Sequence, residues 1–144
     1  MSLERTSCSP PQSEVKMMSE KRKNARKKIL LVDDNLLTLK MLKKILSSSG
    51  YTVFPATSGR EALAIARKKH PDLLVLDIML PDIDGIHVAS NLREDPEFRN
   101  VPVIFLSSLY EEEVRKMGNF CPGSRYLRKP LNAAQLLEEI AGQL

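Results

Sequence analysis

The sequence predicts a doubly wound α/β fold built on a parallel sheet. Three observations carry this. Segments of strand and helix character alternate about five times between Lys28 and Leu144, the pattern of repeated βα units. The stretches 28–32 and 72–77 are continuous apolar runs, as expected of strands covered by helices on both faces. The connections are short enough to admit only right-handed crossovers. A chain of 144 residues suits one domain of ~100–150 residues, and no internal repeat marks a second.

Each element follows in order. Lys28-Ile29-Leu30-Leu31-Val32 is a buried strand that runs into Asp33-Asp34. Leu36 to Leu46 has apolar residues at helical spacing, with Leu42, Ile45 and Leu46 on one side, and Gly50 closes the helix. Tyr51–Phe54 is a short strand. Ser58-Gly59-Arg60-Glu61 has the form of a capping box opening a helix to about Lys69. Asp72–Asp77 is a second buried strand ending in an acid. Asp84 caps a helix reaching about Arg93. Val101–Leu106 is a strand with its proline at the start, where a missing N–H is tolerated. Ser108–Glu111 again has capping-box form. Arg125–Leu127 is a short strand. Asn132 caps a last helix whose Leu137, Ile140, Ala141 and Leu144 share a stripe.

Composition narrows the function classes. Hydrophobic residues are 42% and charged residues 28%, an ordinary globular balance. No apolar run approaches the ~18–20 residues of a membrane span, and no signal peptide opens the chain. The formal net charge of +4 is unevenly placed. Residues 1–28 hold eight bases and three acids, which leaves 14 bases and 15 acids for the rest. The basicity therefore belongs to a tail, and the near-neutral body is no candidate for direct nucleic-acid binding. Residues 1–26 have no periodicity and few apolar groups and are expected to be a disordered basic tail, with Met17 or Met18 left open as the natural start. Residues 27–144 form the expected domain. Two cysteines, Cys8 and Cys121, make no disulfide framework and suit a reducing, cytoplasmic compartment.

In open α/β sheets, ligands bind beyond the carboxyl ends of the strands. Here those ends carry Asp33-Asp34, Asp77, Ser107-Ser108 and Lys129-Pro130. Three neighbouring carboxylates repel one another. A hard cation such as Mg²⁺, which takes oxygen ligands and keeps several waters, relieves this. A carboxylate beside Mg²⁺ is a nucleophile toward phosphorus, the ion screens and clamps the phosphoryl group, and a lysine adds charge for its oxygens. The set suits capture of a phosphoryl group by a carboxylate. His70 and His87 are expected to be surface residues without ligand or catalytic partners. Gly59 and Gly85 start helices and form no dinucleotide fingerprint.

These motifs, namely Ile29–Asn35, Leu74–Pro81, Asp84-Gly85, Phe105–Ser107 and Tyr126–Pro130, taken in order and register, resemble those of a response-regulator receiver domain of two-component signalling. The resemblance implies a flavodoxin-like sheet in the order 2-1-3-4-5 with five helices. It implies Asp77 as phosphoacceptor and Asp34 as the main Mg²⁺ ligand. Asp33 would act mostly through metal-bound water, and the Met79 backbone carbonyl would be the other protein ligand. It implies Ser107 as switch hydroxyl, Lys129 as phosphoryl-binding group with a cis bond to Pro130, and Tyr126 as the switch aromatic. A sensor histidine kinase or histidine phosphotransfer protein would be the donor. The face of the fourth helix, fifth strand and fifth helix would take a downstream partner or form a homodimer. Such a domain catalyses only its own phosphorylation and dephosphorylation.

One departure stands out: Cys121-Pro122-Gly123-Ser124 replaces the family's Gly-Ala-Asp stretch, and Pro122 is expected to end or bend the fourth helix. The competing reading is a non-phosphorylated adaptor of the same fold, against which the intact acidic site argues. A metal-dependent phosphatase is weaker, because it would carry Asp-x-Asp after the first strand where this chain has adjacent aspartates. The chain's end at the last helix leaves open both a stand-alone receiver and a piece of a longer protein.

Overall fold

The computed structural model describes residues 27–116 and 124–144. The expected basic tail and the consequence of Pro122 lie outside those residues. The strands are β1 (Lys28–Val32), β2 (Thr52–Ala56), β3 (Leu73–Asp77), β4 (Val103–Ser107) and β5 (Arg125–Arg128). The helices are α1 (Leu36–Ser48), α2 (Gly59–Lys69), α3 (Gly85–Arg93), α4 (Glu111–Lys116) and α5 (Ala133–Gln143), with a 3₁₀ turn at Pro96–Phe98. All paired strands are parallel. The sheet order is β2-β1-β3-β4-β5, the order implied by the resemblance.

Strand residues alternate between two cores because successive side chains leave a strand on opposite faces. Leu30, Val32, Leu74, Leu76, Val103 and Phe105 pack with Ala62, Ala66, Ile86, Ala89 and Val114 of α2, α3 and α4. Ile29, Leu31, Leu73, Val75, Ile104 and Leu106 pack with Leu39, Leu42 and Leu46 of α1 and Leu136 and Ile140 of α5. Both faces of the central strands are thus dry, which explains their unbroken apolar runs. Every strand then delivers its carboxyl end to one rim.

Local details depart from the sequence reading in instructive ways. β2 runs on through Pro55, which pairs opposite Leu31; β2 is an edge strand, so the missing N–H costs no ladder bond on its open side. On α1, Leu39 replaces Ile45 in the fully buried set. On α5, the buried positions are Leu136 and Ile140, while Ala141 is exposed. The capping box at Ser58 is only half formed. Ser58 Oγ accepts the Glu61 N–H at 3.2 Å, but Glu61 turns to the Thr57 N–H at 2.6 Å. The α4 box is shifted by two residues: Tyr110 precedes the helix, and its N–H donates to Glu113 Oε1 at 3.1 Å. Asp84 and Asn132 cap α3 and α5 as expected.

Candidate acidic phosphoryl-acceptor site

The rim is assembled by strand termination. Asp33 follows β1, Asp77 is the last residue of β3, Ser107 the last of β4, and Lys129 follows β5. The fold therefore brings together the acids, the hydroxyl and the lysine singled out in the sequence. One carboxylate oxygen each from Asp33, Asp34 and Asp77 lie within 4.8 Å of one another. Asp33 and Asp77 are 0% and 4% exposed, whereas Asp34 faces solvent.

The two buried carboxylates are held at both oxygens. Asp33 Oδ1 accepts the Asn35 N–H at 2.9 Å, and Asp33 Oδ2 accepts Lys129 Nζ at 2.9 Å. Asp77 Oδ1 accepts the Met79 N–H at 3.1 Å, and Asp77 Oδ2 accepts Lys129 Nζ at 3.1 Å. The Asn35 side chain in turn caps α1 by accepting from Leu37 and Thr38. The turn after β1 is thereby fixed at both ends, and Asp34 in it remains exposed at the edge of the cluster. The Lys129–Pro130 bond is cis, as the resemblance implied.

The electrostatics are those of an under-neutralised acid cluster. Burial pushes the Asp77 carboxyl above its ordinary range, and the Asp33 charge adds to this, against the lowering by Lys129 and the Met79 amide. Burial would lower the Lys129 ammonium, but its hydrogen bond to Asp33 and the charge of Asp77 raise it above its ordinary value. The two directions agree physically. One ammonium serves two buried carboxylates, so the lysine is over-compensated and the acids are not. With Asp34, the formal charge of the set is −2, which a divalent cation would balance.

The β4–β5 side is wired differently. The Ser107 hydroxyl oxygen is buried and accepts the Leu109 N–H at 3.1 Å. The Tyr126 hydroxyl donates to the carbonyls of Leu109 and Ser107, and burial raises its pKa. Arg128 stacks on the Tyr110 ring at 3.8 Å from its centroid. Tyr126 is thus turned beneath the loop after β4, with Arg128 and Tyr110 outside it.

Sequence reasoning missed several supporting residues. Asn35 sits one residue before an apolar periodic run, an ordinary cap signal. The Tyr110–Arg128 stack had no local signal, since the partners come from separate elements. His70 and His87 do have carboxylate partners, Glu97 at 3.0 Å and Asp84 at 2.6 Å; both histidines remain exposed. The loop between β3 and α3 is pinned by Asp82, which accepts the N–H groups of Gly59 at 2.8 Å and Arg60 at 2.9 Å.

An open parallel sheet with an acid cluster, a lysine and a hydroxyl on its carboxyl rim places the polar groups where ligands bind in doubly wound α/β domains. Comparison with known proteins is specific. The response regulator receiver domain family matches residues 29–141. The polar-differentiation response regulator DivK of Brucella ovis is 36% identical over 122 residues, 82% of this chain and 96% of that protein. The chemotaxis protein CheY4 of Vibrio cholerae superposes with a TM-score of 0.76 at 30% identity, covering 82% of this chain and 98% of its own. A putative response regulator from Chloroflexus aurantiacus gives 0.75 at 31% identity, covering 81% and 96%. The chain belongs to the response-regulator receiver domain family of two-component signalling. Among the described residues, no helix is long and apolar enough to cross a membrane.

Proposed function

We propose that this receiver takes a phosphoryl group onto Asp77 from a phosphohistidine of a sensor histidine kinase or histidine phosphotransfer protein, with Mg²⁺, and that this switches partner binding. The observation that carries the reading is the convergence of Asp33, Asp34 and Asp77, with Asp33 and Asp77 both bound to the Lys129 ammonium. An Asp77 carboxylate oxygen attacks phosphorus and the P–N bond breaks with its electron pair going to the ring nitrogen, so a donor ring already protonated on its other nitrogen leaves as neutral imidazole. Lys129 Nζ, held between Asp33 and Asp77 at 2.9 and 3.1 Å, is placed to shift its hydrogen bonds onto phosphoryl oxygens. The Met79 amide orients Asp77.

The donor set is all hard oxygen and carries excess negative charge, which fits Mg²⁺. Asp34, Asp77 and the Met79 carbonyl would hold the ion, with Asp33 acting through water, and its charge would screen the approach of a phosphate to the carboxylates. Ser107 supplies the switch hydroxyl: its oxygen accepts from the Leu109 amide, and its own O–H is the donor for the added anion, toward which it would move. Tyr126 then follows the loop, and the readout face is α4, β5 and α5, open to a downstream protein or a second copy. The receiver body is residues 27–144; residues 1–26 are dispensable to the chemistry. A cytoplasmic setting suits this role.

Intact-mass measurement after incubation with acetyl phosphate and Mg²⁺ tests the reading. The expected result is one phosphoryl adduct on wild type and none on Asp77→Asn, which keeps shape and removes the nucleophile. Equal adducts on both would overturn it.

A further inference from the structure

The loop from Ile78 to Asp84 leaves the phosphoacceptor strand and carries the Met79 carbonyl. Its closure is tight. The Gly85 N–H donates back to the Ile78 carbonyl at 2.9 Å. A Cβ on Gly85 would lie 2.3 Å from the Asp77 carbonyl oxygen, so only glycine lets α3 start this close to β3. The loop's middle leans on a different element, the start of α2. A Cβ on Gly59 would lie 2.7 Å from the Ile83 carbonyl oxygen, so backbone meets backbone there. Beside that contact, Asp82 accepts the Gly59 and Arg60 N–H groups with separate carboxylate oxygens, Oδ1 and Oδ2. These are two of the N-terminal amides that no helix bond can satisfy. They hold the carboxyl at a pKa of about 2, the Arg60 amide contributing most, so Asp82 is an anion throughout the working range.

We infer that Asp82 is a positioning residue for the metal site: by clamping the loop to the N-terminus of α2, it sets where the Met79 carbonyl and amide stand relative to Asp77. The inference rests on the reading of Asp77 and its neighbours as a Mg²⁺-assisted acceptor. The clamp joins α2, which contributes nothing to the acid cluster, to the loop whose Met79 backbone borders it. Loosening it leaves the Asp33–Lys129–Asp77 bridge intact and lets the Met79 end of the site wander.

The test is a Mg²⁺ titration followed by the rise in melting temperature, on wild type, Asp82→Ala and Asp82→Asn. Asparagine offers one acceptor oxygen to two donors, so it sits between the others and guards against a collapsed alanine variant. Outer-shell partners of metal sites command ~10–100-fold in affinity; the expected midpoint shift is about tenfold for alanine and smaller for asparagine. The shift persists at 0.5 M KCl, where the Debye length falls to a few ångströms and remote charge is screened. Gly59→Ala, which pushes the same loop from the other side, shifts the midpoint in the same direction. A lower melting temperature with an unchanged Mg²⁺ midpoint overturns the assignment and leaves Asp82 a structural cap. A shift that vanishes in salt also overturns it, since charge alone would then explain it. If wild type shows no Mg²⁺ response, the acceptor reading falls and this assignment with it.

Discussion

The two halves of the rim are built on opposite plans. On the β1–β3 side, buried carboxylates are fixed at both oxygens by backbone amides and one lysine. On the β4–β5 side, a loop is held by the Ser107 and Tyr126 hydroxyls, by Arg128 Nε on the Ser108 carbonyl, by Glu113 on the Tyr110 N–H and by the stack of Arg128 on the 60%-exposed Tyr110. The first half is over-determined, because any movement strands a buried charge, which is costly. The second is held by contacts of modest individual strength, and such regions open first. On the proposed function, the acceptor carboxylate would sit on the rigid half and the response on the loose half, with Lys129 reaching across from the end of β5.

The comparison breaks most visibly at Lys129. Lys129→Ala leaves Asp33 and Asp77 buried without a counter-charge. Breaking buried pairs costs about 3–5 kcal/mol; with the lysine side chain 25% exposed, about 2–3 kcal/mol is expected here. That corresponds to a melting-temperature loss of roughly 5–10 °C, of which saturating Mg²⁺ restores a large part, since a dication replaces the missing ammonium. The sign with pH follows from the raised lysine pKa. Its stabilisation is complete below the unfolded value of about 10.4 and is lost as pH climbs through the folded one. Calorimetry at neutral and alkaline pH checks both. A loss that Mg²⁺ leaves untouched would mean that the acids are not what Lys129 neutralises.

Smaller effects sharpen the other half. Tyr126→Phe deletes the hydroxyl that ties the Ser107 and Leu109 carbonyls and is expected to cost about 1 kcal/mol. Tyr110→Ala removes an exposed cation–π contact and is expected to cost about 0.5 kcal/mol. Both leave the Mg²⁺ midpoint unchanged and speed amide exchange at Ser108 to Tyr110. Protection unchanged in both variants would show that the loop is held by something else.

The legible parts were those where one chain segment states its own case. Continuous apolar runs ending in acids placed β1 and β3 and so put Asp33, Asp34 and Asp77 on one rim. Ser107 and Lys129 followed from the same strand-end logic. What could not be read depends on contacts between distant segments. Asp82 reaches back 22 residues to Arg60, and nothing at Asp82 itself signals a helix start elsewhere. Adjacent Asp33 and Asp34 look alike in sequence; burial and the lysine separate them. The shifted α4 cap and the rotated α5 stripe show that several near-equivalent frames fit the local pattern, and tertiary packing selects one.

The most direct test of this division is a backbone amide spectrum before and after adding beryllofluoride with Mg²⁺, a stable stand-in for the phosphoryl group. Large shifts are expected at Asp33, Asp34, Asp77 and Met79, where the group binds. Comparable shifts are expected at Ser107 to Tyr110 and Arg125 to Arg128, where the rim responds. Shifts confined to the first set, with the β4–β5 side silent, would contradict the account.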